Sequence, residues 1–279
     1  MRNVVGIAPP GIGPTFLLGI MSLSTFMIVV FVADPSGIIS LAGVLLACSS
    51  AFLAFFHRDP DRPIPRANGL LVSPADGRVM FVVRERATGR RPTQEEVQTG
   101  RIEVDHHMGD WFPEPCSQPL SYSTEQRWEK VPEGEESRLD SIRIAIYMSP
   151  LDVHVQRSPL AGSIVHMEHR TGKGRRRGPY LRASRKESEG NERIRTVVEH
   201  ETESRVEITQ ISGAVARTIV PYIGPSESLR RGQRFGMIRF GSRVDIRFSA
   251  DNYEVLVSKG SIILAGQDKI ARVLNFESE

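Results

Sequence analysis

Arg234-Phe235-Gly236-Met237-Ile238-Arg239-Phe240-Gly241-Ser242-Arg243-Val244-Asp245 reads as two short strands with one break between them. Phe235–Phe240 and Ser242–Phe248 have the Val, Ile and Phe density and the near-alternation of half-buried strands. Gly241-Ser242 interrupts them, and the bland account of such a break is a β-bulge. The same texture recurs outward in both directions, between Gly and Pro turn residues. It covers Gly69–Ser73, Arg78–Arg84, Ser141–Met148, Val153–Arg157, Ser163–His169, Thr196–His200, Arg205–Ser212, Ala214–Ile223, Tyr253–Ser258 and Ser261–Ala265. No window gives a soluble amphipathic helix beyond about one or two turns. The series predicts a mostly β domain, a barrel or a sandwich.

The N-terminus is of another kind. No charged residue lies between Arg2 and Asp34, and none between Asp34 and Arg58. Thr15–Ala33 and Ile38–Phe56 are apolar runs of 19 residues each. As helices they would be about 28 Å long, against a hydrocarbon core of about 30 Å. Pro9, Pro10 and Pro14 place the first helix start after them. Asp34-Pro35-Ser36-Gly37 is a turn signal. Residues 1–57 are thus expected to form a two-helix transmembrane hairpin, an anchor for a water-soluble domain at 58–279. Arg2 precedes the hairpin, Arg58, Arg62 and Arg66 follow it, and the link has no Lys or Arg. The positive-inside rule then puts the soluble domain on the cytoplasmic face of the cell (inner) membrane. A cleaved signal peptide fits poorly, because the apolar stretch is too long. Leu45-Leu46-Ala47-Cys48 resembles a lipoprotein box, but the apolar run continues beyond it through Phe56.

Composition narrows the function classes. Of 279 residues, 40% are hydrophobic and 25% charged, which excludes a disordered chain. A net charge of +3 gives no argument for nucleic acid. Cys48 and Cys116 make no disulfide framework, and no His/Cys cluster predicts a metal site. His106-His107 read as surface histidines. Residues 85–140 are polar and Pro-rich, a loop-rich insertion with a short hairpin around Ile102–Val104. Lys173, Arg175, Arg176 and Arg177 form a basic run, extended by Arg182, Arg185 and Lys186. It reads either as a solvated loop or as a contact with anionic lipid headgroups, worth about 1 kcal/mol per basic residue, that could hold a lipid phosphate.

Four clusters carry potential chemistry. They are Phe55-Phe56-His57-Arg58-Asp59-Pro60-Asp61-Arg62, Ser73-Pro74-Ala75-Asp76-Gly77, Met148-Ser149-Pro150-Leu151-Asp152-Val153-His154-Val155, and the opening stretch with Gly241-Ser242. Singly each has a structural account: Asp76-Gly77 is a turn pair, and a lone His154 on a strand is usually a packing residue. Together, with Asn191-Glu192-Arg193 between the third and fourth, they resemble phosphatidylserine decarboxylases of the short bacterial and archaeal form. The resemblance runs from about Phe55 to Ala271.

That resemblance implies a lyase made as one chain that cuts itself before a serine. The matching bond is Gly241–Ser242, giving chains 1–241 and 242–279 that stay associated. Ser242 would become a covalent pyruvoyl group, the cofactor, which takes the amine of phosphatidylserine as a Schiff base. His154 is the candidate base, since an imidazole exchanges protons near neutral pH. Asp76 would orient it, as the carboxylate does in a Ser-His-Asp arrangement. The fold implied is like a barrel-sandwich hybrid. One position departs: other branches carry a second histidine where this chain has Arg157, which leaves His166 and His169 as reserves in sequence only. A relative acting on another amino-bearing substrate, and a non-catalytic membrane-anchored lipid-binding β domain, are the rival readings. A homo-oligomer is compatible with the sequence.

Overall fold

The computed structural model describes residues 6–31, 37–87, 139–170, 191–200, 205–214, 218–239, 241–250 and 252–274. The basic run Lys173, Arg175, Arg176, Arg177, the pair His106-His107, Cys116 and the expected hairpin at 102–104 lie outside them.

Two helices come first, α1 (Pro9–Phe31) and α2 (Ile38–Phe56). Helix α1 starts at Pro9, earlier than its prolines suggest. Pro9 and Pro10 stand in the first turn, where N–H groups have no intrahelical acceptor, so their fixed φ assists the start. Pro14 lies inside the helix. Both helices are long and apolar enough to cross a membrane by length and composition. Their large side chains, among them Phe16, Ile20, Leu23, Phe26, Leu41 and Leu45, are exposed. The helices are tied by polar side chains donated across the pair, Ser22 Oγ to the Gly43 carbonyl at 3.0 Å and Ser50 Oγ to the Thr15 carbonyl at 2.9 Å.

The rest is mostly β, in three antiparallel sheets. The strands are β1 (Leu70–Val72), β2 (Gly77–Ala87), β3 (Leu139–Met148), β4 (Val155–Arg157), β5 (Gly162–Arg170), β6 (Arg193–Glu199), β7 (Arg205–Ile211), β8 (Ile219–Pro221), β9 (Ser228–Leu229), β10 (Arg234–Ile238), β11 (Ser242–Ser249), β12 (Tyr253–Val255), β13 (Ile262–Ile263) and β14 (Lys269–Val273). Eight form one sheet in the order β13-β2-β3-β11-β7-β6-β5-β9; the others are β1-β14-β12 and β4-β10-β8. Most expected strands are present. Among the described residues of the 214–223 run, Ile219–Pro221 form β8, while β9 and β14 are additional strands, short and without a β-branched run. The insertion expected at 85–140 is framed by a hairpin, since Ala87 pairs with Leu139.

Strand β11 is central, paired with β3 on one side and β7 on the other. Both of its faces are buried. Val244, Ile246 and Phe248 alternate into the main apolar core with Ile144, Ile146, Val206 and Ile208. Arg243, Asp245 and Arg247 occupy the other face. There Asp245 accepts from Arg143 Nε at 2.8 Å and Arg243 Nε at 2.6 Å, and Glu207 accepts from Arg247 at 2.7 Å. The Phe81 ring lies against the Arg143 and Arg243 guanidiniums, at 5.4 and 5.1 Å. Burial alone would raise the Asp245 carboxyl, but Arg143 and Arg243 outweigh it and hold it at about 2. Removing one partner from such a buried set strands the others. Asp245→Ala is expected to cost about 3–5 kcal/mol, read by denaturant unfolding of the full chain in detergent; a loss under about 1 kcal/mol would mean that the cluster relaxes into water.

Candidate active site

The start of β2, the end of β3 and the start of β11 meet at one end of the large sheet. Register pairs Arg78 with Tyr147 and Ser242 with Met148. Gly77, just after Asp76, has φ +140 there, and a Cβ on it would stand 2.1 Å from the Tyr147 carbonyl oxygen. Only glycine lets the Asp76 loop approach β3 this closely.

Ser242 is the first residue of β11 and is fully buried, its Oγ without a hydrogen-bond partner. A buried, unpaired hydroxyl costs about 1–3 kcal/mol and calls for a reason. Gly241 before it has φ +62, with nothing within 4 Å of where a Cβ would be. Glycine is therefore favoured at this position by backbone conformation, and its carbonyl is unshielded by any side chain of its own. One register step beyond the Arg243–Ile211 pair stands Ser212, also buried with an unpartnered hydroxyl.

His154 comes from the third cluster. Ser149-Pro150-Leu151-Asp152 is a tight turn: the Asp152 N–H donates to the Ser149 carbonyl at 2.9 Å, and Ser149 N–H donates to the Asp152 carboxylate at 2.6 Å. Proline at the second position fits its fixed φ. The turn delivers His154 just ahead of β4. His154 Nδ1 lies 2.9 Å from the Asp152 carbonyl oxygen. A carbonyl only accepts, so Nδ1 carries the proton and Nε2 presents a bare lone pair. Nε2 is buried and has no partner. Burial lowers the imidazole from 6.5 to about 4, the Asp152 hydrogen bond opposing the shift and Arg58 and His57 adding to it. Hydrogen bonds tie the His154 backbone toward Met148, the register partner of Ser242: Ile238 N–H donates to the His154 carbonyl at 3.3 Å, and the Gln156 side-chain amide donates to that carbonyl and contacts the Met148 sulfur at 3.7 Å.

The wall over His154 is the end of α2. Phe56 is fully buried, its ring centroid 4.3 Å from that of His154. It packs with Ala8, Val153, Val155 and Met237, and Tyr222 closes the group. Both ends of the helical hairpin are fastened at this point, through Ala8 N–H to the His57 carbonyl at 2.6 Å and Asp59 N–H to the Gly6 carbonyl at 2.7 Å. Arg58 continues the contact, donating to the carbonyls of Phe55 and Leu151.

Asp76 is placed differently from the expected pairing. Its carboxylate is held by both terminal nitrogens of Arg62 at 2.7 Å and by the Ala265 N–H at 2.7 Å. It makes no hydrogen bond to His154, whose Nδ1 is used by Asp152. Arg157 donates to Asp59 at 3.0 Å and to the Pro60 carbonyl at 2.9 Å, a clasp between β4 and the segment that follows α2. His169 pairs with Glu192 at 2.9 Å on β5, three strands from β11. Among the described residues no group of His, Cys, Asp and Glu could hold a metal. The motif around Phe56 and Arg62 gives no sign of their roles, since Phe56 meets His154 and Arg62 meets Asp76 only in the folded chain.

The phosphatidylserine decarboxylase family model matches residues 49–271. A phosphatidylserine decarboxylase proenzyme of Symbiobacterium thermophilum is 35% identical over 83% of this chain and 83% of its own. One of Streptomyces griseus is 33% identical over 95% of this chain and 91% of its own. A protein of Methanothermobacter thermautotrophicus, provisionally named an archaetidylserine decarboxylase proenzyme, is 35% identical over 82% of this chain and 84% of its own. No solved structure matches significantly.

Phe56→Ala should admit water to the imidazole. His154 is expected to rise from about 4 toward 6.5, followed by imidazole NMR titration of the full chain, with a stability loss of about 3–5 kcal/mol. A titration still centred near 4 would assign the dryness of the site to other residues.

Proposed function

The chain belongs to the phosphatidylserine decarboxylase family, and from that premise we propose that Ser242 and His154 are its reacting pair. It is a carboxy-lyase made as a proenzyme, with a covalent pyruvoyl group derived from a serine of its own chain. The observation that carries the assignment is the buried Ser242 hydroxyl without a partner, directly after Gly241 in a left-handed conformation. The group fits this place: the serine is buried, its acyl neighbour is unshielded, and a bare imidazole nitrogen stands in the same region.

In self-cleavage, His154 Nε2 takes the Ser242 hydroxyl proton as Oγ attacks the Gly241 carbonyl. The C–N bond breaks and an ester forms. Loss of the Ser242 α-proton then expels the Gly241 carboxylate and leaves dehydroalanine at 242. Water enters, ammonia departs, and a pyruvoyl group remains. Once present, it supplies an electrophilic carbonyl for the substrate amine and a sink for the electron pair left by carbon dioxide. Phe56, Val153, Val155 and Met237 would keep bulk water from the reacting carboxylate, and His154 Nε2 would pass a proton taken up from water to the substrate carbon. Asp76 serves as a positioning residue, fixing Arg62 and the Ala265 turn. It also acts on Arg58, which in turn bears on His154.

The substrate is the serine headgroup of a membrane lipid, phosphatidylserine, converted to phosphatidylethanolamine. The relative named for archaetidylserine favours, as a second reading, a serine lipid of another backbone. Helices α1 and α2 span the inner membrane with both ends cytoplasmic, and the basic run at 173–177 adds contact with anionic headgroups. The sheets wrap one core in the manner of a barrel-sandwich hybrid.

Intact mass of the purified chain, before and after hydroxylamine, tests the assignment. Two chains, 1–241 and 242–279 with a pyruvoyl N-terminus, are expected; Ser242→Ala stays whole, and His154→Gln slows cutting by at least about 100-fold. A folded wild-type chain that stays whole leaves the lipid-binding reading in its place. The pH profile of cutting gives a second check. The base works unprotonated, so the rate rises with pH through its pKa, and the half-point should fall near pH 4 rather than 6.5.

A further inference from the structure

Arg239 is the cation that the site leaves unused. Arg62, Arg157 and Arg234 are committed to Asp76, Asp59 and the Asp59–Asp61 pair. Arg58 is spent on the carbonyls of Phe55 and Leu151. Arg239 makes no ion pair among the described residues, and its Nε is buried without a hydrogen-bond partner. Its backbone N–H donates to the Thr218 carbonyl at 3.0 Å, extending the β10–β8 ladder by one step. Alternation then puts its side chain on the same face as Met237, which packs with Phe56 and Tyr222. The Tyr222 hydroxyl is likewise buried and unpartnered. Arg239 lies within electrostatic reach of both Tyr222 and His57: it opposes the burial that raises the Tyr222 phenol and adds to the burial that lowers the His57 imidazole.

We propose that Arg239 and Tyr222 form the subsite for the phosphodiester of the lipid substrate. The proposal rests on the reading of Ser242 as the reacting residue. A guanidinium fork donates only, a phenol hydroxyl can donate as well as accept, and a phosphodiester carries one negative charge and several acceptor oxygens. The spacing suits the substrate. Arg239 stands three residues before Ser242, at most about 11 Å along an extended chain. In a serine lipid the phosphorus is joined through one oxygen to the seryl β-carbon, so a lipid whose amine is at residue 242 must place its phosphate close by. The depth suits it too. The subsite adjoins Phe56 and His57, where α2 leaves the apolar region, which is where the phosphodiesters of a bilayer lie. The lipid would keep its phosphate in its own plane while its headgroup reaches inward.

The same anion chemistry has a second source, the Gly241 carboxylate released by cutting, two residues from Arg239. Kinetics of the full-length protein in mixed micelles separate the two. Each variant is first checked by intact mass for cutting at 241–242. It is then assayed on phosphatidylserine and on O-dodecyl-serine, which keeps the amine and carboxylate but lacks the phosphodiester. Expected for R239Q is a cut chain whose KM for phosphatidylserine rises about 10- to 100-fold, with kcat changed far less. The difference from wild type should largely vanish on O-dodecyl-serine. Y222F should show a smaller rise, about threefold to tenfold, and R239K should recover part of the loss. An unchanged KM in R239Q overturns the proposal. Equal losses on both substrates also overturn it and assign Arg239 to the Gly241 carboxylate or to folding. If R239Q is not cut, R239K and Y222F decide, and wild-type KM values in both overturn it. A wild-type chain that is folded, whole and inactive overturns the Ser242 reading and this proposal together.

Discussion

The hydrogen-bond ladder that holds β11 between β3 and β7 is the constraint on which the rest depends. It fixes Ser242 at the first rung, beside Met148, and withdraws it wholly from water. A serine hydroxyl at a strand end would ordinarily turn to solvent or to a nearby backbone group. Here both adjoining strands occupy the space. The cost of the unpaired hydroxyl is offset by the apolar core on the same face of the strand, from Val244 to Phe248. Gly241 completes the arrangement, since its positive φ turns the chain sharply where β10 hands over to β11.

The second half of the site depends on desolvation rather than on an ion pair. His154 has its proton fixed on Nδ1 by a backbone carbonyl and its ring covered by Phe56. A carboxylate on Nδ1 would have favoured the charged imidazolium; a carbonyl in a dry pocket favours the neutral base. The cover comes from the last residue of the second apolar helix, so the anchor forms part of the site's wall. A tether alone would need no such contact. Fastening both ends of the hairpin at Ala8, His57 and Asp59 keeps that wall in place.

Much of this was legible in the sequence because it is written locally. The apolar runs announced the helices, and alternation announced strands such as Ser141–Met148 and Ser242–Phe248. Motif order pointed to Gly241-Ser242 and His154. What was not legible depends on partners far apart in the chain. Asp76 binds Arg62 and Ala265 rather than His154, and no spacing rule says so. Arg157 is a clasp on Asp59, 98 residues away in the chain. Phe56 looked like one more residue of an apolar helix. The early start of α1 was missed for a different reason: prolines stop a helix from continuing, yet suit its first turn.

The strand order around β11 has a further consequence. Strands β11, β13 and β14, from Ser242 onward, pair with β3, β7, β2 and β1, which lie before it, while β12 pairs with β14. Severing the backbone at that point removes one covalent link and none of these ladders. The fold then changes molecularity: what unfolds as one molecule becomes a heterodimer whose melting depends on protein concentration. The 242–279 chain carries the central strand of the large sheet, so its departure would open the core along its middle. Cut at the proposed Gly241–Ser242 bond, the two pieces would be held together by these ladders alone.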